Sequence, residues 1–149
     1  MADPEHPFCT CLCYAANALA RTITRLSDDA FARTGLAPSL GYVLMTVQRK
    51  PGIQPSEVAE ITMLDPSTVT RLVEKLQGKG LVRRETQGRT TLIHPTPAGL
   101  ALVPDLLAAW DQVFQTCAER LGPEPTRALA AQLYEAARCL DGLPPPGPA

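Results

Sequence analysis

Apolar residues recur at helical spacing along most of the chain. Leu12, Ala16, Leu19, Ile23, Leu26 and Ala30 follow one another in steps of four, three, four, three and four, the period of one helix face and the repeat of a heptad seam. Gly35 ends this segment and Pro38-Ser39 begins the next. With Ser39 as N-cap, Leu40, Val43, Leu44 and Val47 stand at i, i+3, i+4 and i+7, and Pro51-Gly52 stops the run. A short third helix starts at about Pro55, with Val58, Ala59 and Ile61 as its apolar contributors. Proline suits a first helical position, and a helix this short needs neighbours to hold it.

The turn Thr62-Met63-Leu64 leads to Asp65-Pro66, an N-cap acid followed by proline, which starts a fourth helix. Val69, Leu72, Val73 and Leu76 share one face of it, and Gly78 and Gly80 close it. Its other face carries Ser67, Thr68, Thr70, Arg71, Glu74 and Lys75. Two β-prone runs, Leu81 to Thr86 and Arg89 to His94, flank Gln87-Gly88 and read as a hairpin. Thr96-Pro97 caps a long fifth helix whose seam is Leu100, Val103, Leu107, Trp110, Phe114, Cys117 and Leu121, with a kink or break expected at Pro104. Gly122-Pro123 ends it, and a last helix carries Leu129, Leu133, Ala136 and Leu140. The proline- and glycine-rich tail, 142–149, is expected to be disordered.

The pattern therefore predicts a mainly α fold with a small β-hairpin wing, in the order α-α-α-α-β-β-α-α. A chain of 149 residues is one domain's worth of polypeptide. Its 45% apolar and 19% charged residues exclude intrinsic disorder, and no apolar run approaches the roughly 18 residues of a membrane span. The acidic, proline-bearing start, Met1 to Pro7, is unlike a secretory signal, so a cytoplasmic protein is expected, without membrane contact.

Charge changes the picture through its distribution. The formal net charge is only −1, but residues 48–90 carry eight basic groups against five acids, a net of +3. Residues 91–149 carry three against six, a net of −3. A basic middle stretch is suited to a polyanion, and it is also what an ordinary solvated surface looks like.

The order of elements separates these readings. A short helix, a tight turn, a capped second helix with hydroxyls and arginine on its open face, and a basic hairpin together describe a winged helix-turn-helix flanked by long helices. The first turn of such a helix brings small polar side chains to base edges, and its N-terminus favours phosphate. Ser67, Thr68 and Thr70 are therefore candidates for base or phosphate contacts, Arg71 for guanine or the backbone, and Lys75 for the same helix face. Arg89 at the hairpin tip suits a minor groove, and Arg83 and Arg84 suit phosphates.

The stretches Pro66 to Leu76, Gly80 to Arg84 and Thr96-Pro97-Ala98-Gly99 resemble the MarR family of bacterial winged-helix regulators. The resemblance covers nearly the whole ordered chain. It implies a single domain over 1–149, with dimerisation helices at 8–35 and 97–141 and a winged helix-turn-helix lobe at 39–95. It implies a homodimer on a pseudo-palindromic DNA operator, acting as a repressor, with a small-ligand pocket between the dimer helices and the DNA-binding lobe. The chain departs from the family at the wing, where Arg89 is retained but its customary acidic partner is missing from Glu85-Thr86-Gln87-Gly88-Arg89.

The competing reading is a winged-helix protein interaction module without specific DNA binding. A face of hydroxyls and arginine is poorly suited to an interface core, where charge is depleted. An enzyme is not expected, because there is no glycine-rich phosphate loop, no HExxH and no serine-histidine arrangement. His94 reads as the end of a strand, and His6 lies near the terminus.

Five cysteines are an odd number for a disulfide framework. Cys117 and Cys139 read as small buried hydrophobes. Cys9, Cys11 and Cys13, three thiols in five residues, carry three open readings. They pack silently, they are oxidised to a sulfenic acid and then a disulfide, or they bind a thiophilic metal ion. In the redox reading Cys9 and Cys13 lie along the first helix at its N-terminus. No cofactor is certain from the sequence; a thiophilic metal ion and an organic effector are the choices left open.

Overall fold

The computed structural model describes residues 8–143. Its elements are α1 (Leu12–Phe31), a 3-10 turn (Ala32–Thr34), α2 (Pro38–Arg49), α3 (Pro55–Thr62), α4 (Pro66–Gly78), β1 (Val82–Gln87), β2 (Thr90–Pro95), α5 (Pro97–Leu121) and α6 (Pro123–Leu140). This is the expected order. The chain forms two units, one up to Trp110 and one from Asp111, so α5 belongs partly to each. None of the described helices is long and apolar enough to cross a membrane.

In the first unit α2 is the central element, packing on α1, α3, α4 and β2. Phe31, Val43, Leu44, Val47, Ile53, Val58, Val69, Val73, Leu76, Ile93 and Leu106 are fully buried around it. The rings of Phe31 and Tyr42 meet edge to face at 5.6 Å. Buried Ser27 shares a hydrogen bond with the Tyr42 side chain. Partial burial holds the Tyr42 phenol above its ordinary pKa, and that hydrogen bond opposes the rise.

Two helix starts differ from expectation. In α2 the N-cap is Ala37, with Pro38 as the first helical residue and Ser39 inside the helix, because the fixed φ of proline already suits that place. Asp65 is the N-cap of α4, as expected, but its carboxylate makes no capping hydrogen bond. In α3 the stabilising acid is Glu57, whose Oε2 accepts from the Gln54 amide at 3.0 Å. The hydrogen bond from Lys50, and then that from Gln54, hold the Glu57 carboxyl below its ordinary pKa. Val58 and Ala59 are buried, whereas Ile61 is 54% exposed, since it lies two residues beyond Ala59 on the opposite side of a two-turn helix. The turn into α4 places Met63 in the left-handed region at φ 54°, a conformation that costs a side-chain-bearing residue about 1–2 kcal/mol.

The hairpin runs in antiparallel register from Val82 opposite Pro95 to Gln87 opposite Thr90. Its two-residue loop is consequently Gly88-Arg89, one residue later than expected. Gly88 has φ +62° and Arg89 is not among the positive-φ residues, the pattern of a type II′ turn that matches strand twist. At the base of the wing, Ile53 and Ile93 form an isolated antiparallel bridge, in which Ile93 N donates to Ile53 O at 2.9 Å and Gly52 N donates to Ile93 O at 2.8 Å.

The start of α5 is tied to the α4–β1 turn. Thr96 Oγ1 donates to Gly80 O at 2.6 Å and accepts from Gly99 N at 3.1 Å, while Thr96 N donates to Leu81 O at 3.0 Å. Gly99 passes so close to the turn that a Cβ there would lie 2.1 Å from Leu81 O. The face of α5 that the first unit buries is Gly99, Val103, Leu106 and Ala109. Of the predicted seam only Val103 belongs to it; Leu100, Leu107 and Trp110 are exposed. Pro104 does not break the helix, which continues to Leu121. Both Pro104 and Leu100, whose carbonyl loses its donor, are exposed, so water can serve that carbonyl.

On α1, Leu12 and Ala16 are exposed, Leu19, Ile23 and Leu26 half-buried, and Ala30 buried. In the second unit, Arg127 stacks over Phe114 at 5.0 Å and pairs with Glu124 at 2.6 Å. Leu129 is half-buried, whereas Leu133, Ala136 and Leu140 are exposed. Arg138 is buried and donates to the Tyr134 hydroxyl at 3.4 Å. The expected disordered tail lies outside the described residues from position 144 onward.

The Gly99 contact yields a sharp contrast. Gly99→Ala drives a methyl group into a backbone carbonyl and is expected to destabilise the protein by about 1–3 kcal/mol or more. A Cβ at Gly78, inside α4, meets nothing within 4 Å, so Gly78→Ala is expected to be neutral or stabilising by up to about 1 kcal/mol. Urea denaturation of both variants, giving equal midpoints, would contradict the close approach.

Candidate nucleic-acid interface

Helix α4 divides cleanly. Val69, Leu72, Val73 and Leu76 are buried, and Ser67, Thr70, Arg71, Glu74 and Lys75 are exposed on the outer face, with Thr68 half-buried at its margin. The Thr70 hydroxyl donates to Pro66 O at 3.0 Å, so it faces outward as an acceptor. The side chains of Arg71, Lys75 and Arg89 make no ion pair or hydrogen bond with any other described residue. Three long cations without internal partners, two on α4 and one at the wing tip, are what a polyanion surface requires.

Arg83 and Arg84, expected beside them as phosphate contacts, are engaged within the protein. Arg83 Nη1 donates to Glu85 Oε2 at 3.1 Å. Arg84 Nη2 reaches back to α4, 3.5 Å from Thr70 O and 3.9 Å from Glu74 Oε1. Strand alternation explains the split: Arg83 lies on one face of the wing and Arg84 on the other, which also carries buried Ile93.

The wing's acid is a hub of its own. Glu85 accepts from Arg83 and from Gln87 Nε2 at 3.4 Å, and His94 Nε2 lies 3.5 Å from it. The Arg83 hydrogen bond first, then that from Gln87, depress the Glu85 carboxyl below its ordinary pKa. Arg89 has no acidic partner, as the sequence implied, and the wing is braced at Glu85 instead. His94 pairs with Arg83 across the hairpin and its Nε2 is shielded from solvent without a hydrogen-bond partner. The sequence reading missed this role, although period-two alternation from the hairpin turn places His94 on the face of Arg83 and Glu85.

The cysteine cluster is exposed throughout. Helix α1 starts at Leu12 with Cys11 as N-cap, so Cys9 lies in the preceding turn and not on the helical seam. Cys13 accepts a hydrogen bond from Asn17 Nδ2 at 3.6 Å. No three metal-ligating side chains converge among the described residues, and His6 lies outside them. Cys117 is half-buried and Cys139 exposed, so neither is a buried core residue, because the apolar side of α6 has little to cover it. A cleft of about 260 Å³ in the first unit is lined by Ala30, Arg33, Thr34, Asp105, Ala108 and Ala109.

Residues 34–90 match the MarR family. Over 95 residues the chain is 33% identical to a transcriptional regulatory protein ascribed to the hcr operon of Thauera aromatica, an alignment spanning 56% of this chain and 57% of that one. The chain thus spans little more than half the length of that relative. Among solved structures, the PcaV transcriptional regulator of Streptomyces coelicolor, in complex with its natural ligand, superposes with a TM-score of 0.80 at 22% identity, covering 92% of this chain and 97% of that one. S. aureus MepR in complex with DNA superposes with a TM-score of 0.74 at 20% identity, covering 87% and 97%. At those identities the superpositions establish the fold. The sequence match to the MarR family covers residues 34–90, which hold the helix-turn-helix and the first strand of the wing.

Proposed function

We propose that this chain is a homodimeric, sequence-specific DNA-binding transcriptional regulator, acting as a repressor on a pseudo-palindromic operator in double-stranded DNA. One observation carries the reading: α4 buries its whole apolar face while Arg71 and Lys75, with Arg89 on the wing, stand exposed without internal partners. The DNA held by the similarly folded MepR supports it. In this reading α4 enters the major groove with Ser67, Thr68, Thr70 and Arg71 near bases and Lys75 near phosphate, and Arg89 enters the adjacent minor groove. No catalytic step is involved.

Residues 39–95 form the DNA-reading lobe, and the helices within 8–35 and 97–141 hold the dimer. Exposed Leu12, Leu107, Trp110, Leu133 and Leu140 support self-association, since apolar surface on this scale is covered in a stable protein. The effector is a small molecule, or an oxidant or thiophilic metal ion acting at the thiols. For the first, the cleft lined by Arg33 and Asp105 offers a charged pair in a small concavity. For the second, the exposure of Cys9, Cys11 and Cys13 gives peroxide direct access. In that branch a thiolate attacks peroxide to form a sulfenic acid and releases hydroxide, and a second thiol then displaces water from that sulfur to form a disulfide.

Two expected outcomes test these assignments. Fluorescence anisotropy on a duplex from upstream of the protein's own gene should show Arg71→Ala weakening binding by about 1–3 kcal/mol and relaxing base preference. Arg89→Ala should lower affinity at the flanks of the site while keeping the central preference, and sedimentation should give a dimer in every sample. Unchanged binding by both folded variants would favour the interaction-module alternative. Mild peroxide should weaken binding by the wild type but not by the triple variant Cys9→Ser, Cys11→Ser, Cys13→Ser; equal responses would leave a small organic ligand as the effector.

A further inference from the structure

Among the described residues, one hairpin side chain makes a hydrogen bond or ion pair to another element of the first unit. Within the wing, Arg83 and Gln87 donate to Glu85 and His94 Nε2 lies 3.5 Å from it, and Arg89 makes no such contact with a described residue. Arg84 is different. It is paired with Ile93, the residue that the Ile53 bridge anchors, and its guanidinium leaves the wing to reach the Thr70 carbonyl and the Glu74 carboxylate on α4. Three further pairs extend outward from it, Glu85 to Leu92, Thr86 to Thr91 and Gln87 to Thr90, before the tip.

Glu74 is otherwise difficult to place. A carboxylate on the outer face of α4 repels phosphate. Thr70 and Glu74 are four residues apart, so they stack on one side of the helix, and a planar guanidinium can address a carbonyl and a carboxylate together. We infer that Arg84 is a positioning residue which, held by Thr70 and Glu74, fixes the wing's angle against α4, so that Arg89 at the tip and Arg71 on the helix reach DNA at a set separation. Its consequence for recognition rests on the DNA-binding function proposed above; the mechanical tie does not. Glu74 is then the anchor of Arg84 and no reader of bases.

Hydrogen exchange on the free protein tests the tie without DNA. Arg84→Gln should speed exchange of the Glu85 to Leu92 amides and leave those of α4 unchanged, and Glu74→Gln should speed the same amides less. No change in either variant overturns the inference. Binding to a mixed-sequence duplex of about 30 base pairs, titrated with salt, tests the consequence. Arg84→Gln should weaken binding about three- to tenfold with the slope of log K against log salt unchanged, whereas Arg83→Gln or Arg71→Gln should reduce that slope by about 0.9 if they touch phosphate. A loss of about 0.9 in Arg84→Gln would make Arg84 a phosphate contact instead. Glu74→Gln should raise affinity more in the Arg84→Gln background than in the wild type, and equal effects in the two backgrounds would refute the coupling. If the wild type binds no duplex at any salt concentration, the regulatory function fails while the exchange result still decides the tie.

Discussion

The passage of α5 over the Leu81 carbonyl is the contact from which the arrangement of helices and wing in the first unit is built. The Gly80-Leu81 turn serves four elements at once. Leu81 N closes the end of α4 by donating to Leu76 O at 2.9 Å, β1 leaves from the next residue, and Thr96 at the end of β2 bonds to both Gly80 O and Leu81 O. Helix α5 begins on that same threonine, with its third residue, Gly99, against the turn. A side chain at Gly99 would lift α5 away and loosen the end of α4 with it. The absence of a single carbon thus sets how closely the long helix, the wing and the helix that faces outward can meet.

On that frame, charge is sorted into two kinds. Arg83 and Arg84 make internal contacts, one within the wing and one back to α4, and Arg71, Lys75 and Arg89 have no partner among the described residues. An exposed ion pair contributes little stability, on the order of 0–1 kcal/mol, so the internal pairs are better understood as geometric ties than as sources of stability. The unpartnered cations cost the fold little in water and are available to a polyanion. Glu85 adds a second brace inside the wing in the absence of an acid beside Arg89.

The apolar surface is sorted in the same way. In α5 the face buried by the first unit is made of Gly99, Val103, Leu106 and Ala109, small enough for close packing. The larger Leu100, Leu107 and Trp110 lie on the exposed side, and Leu133 and Leu140 of α6 are exposed as well. Each helix therefore has an uncovered apolar stripe beside whatever it buries. Left in water, that stripe forgoes about 25 cal/mol per Å² of the stabilisation that burial of apolar area gives. That separates the apolar surface buried within the chain from the apolar surface left exposed.

Much of this was legible from the chain because local rules and burial agreed. Periodicity in α2 and α4 selects Val43, Leu44, Val47, Val69, Leu72, Val73 and Leu76, all buried, since α4 buries one side only and the stripe of α2 lies within a helix that is packed on several sides. Most prolines and glycines marked element boundaries to within a residue or two, since their backbone preferences act locally, but Pro104 lies inside α5 and α1 ends four residues before Gly35. The outer face of α4 and the arginine at the wing tip were readable for the same reason. Where two apolar faces compete on one helix, periodicity could not choose: the seam traced through Leu100, Leu107 and Trp110 is exposed, and the glycine and alanine beside it lie inside. Spacing also could not separate Arg83 from Arg84, adjacent and chemically identical. Only the register of the hairpin against α4 decided which pairs within the wing and which reaches the helix, because a pleated strand sends neighbouring side chains to opposite faces and tertiary packing determines what each face meets.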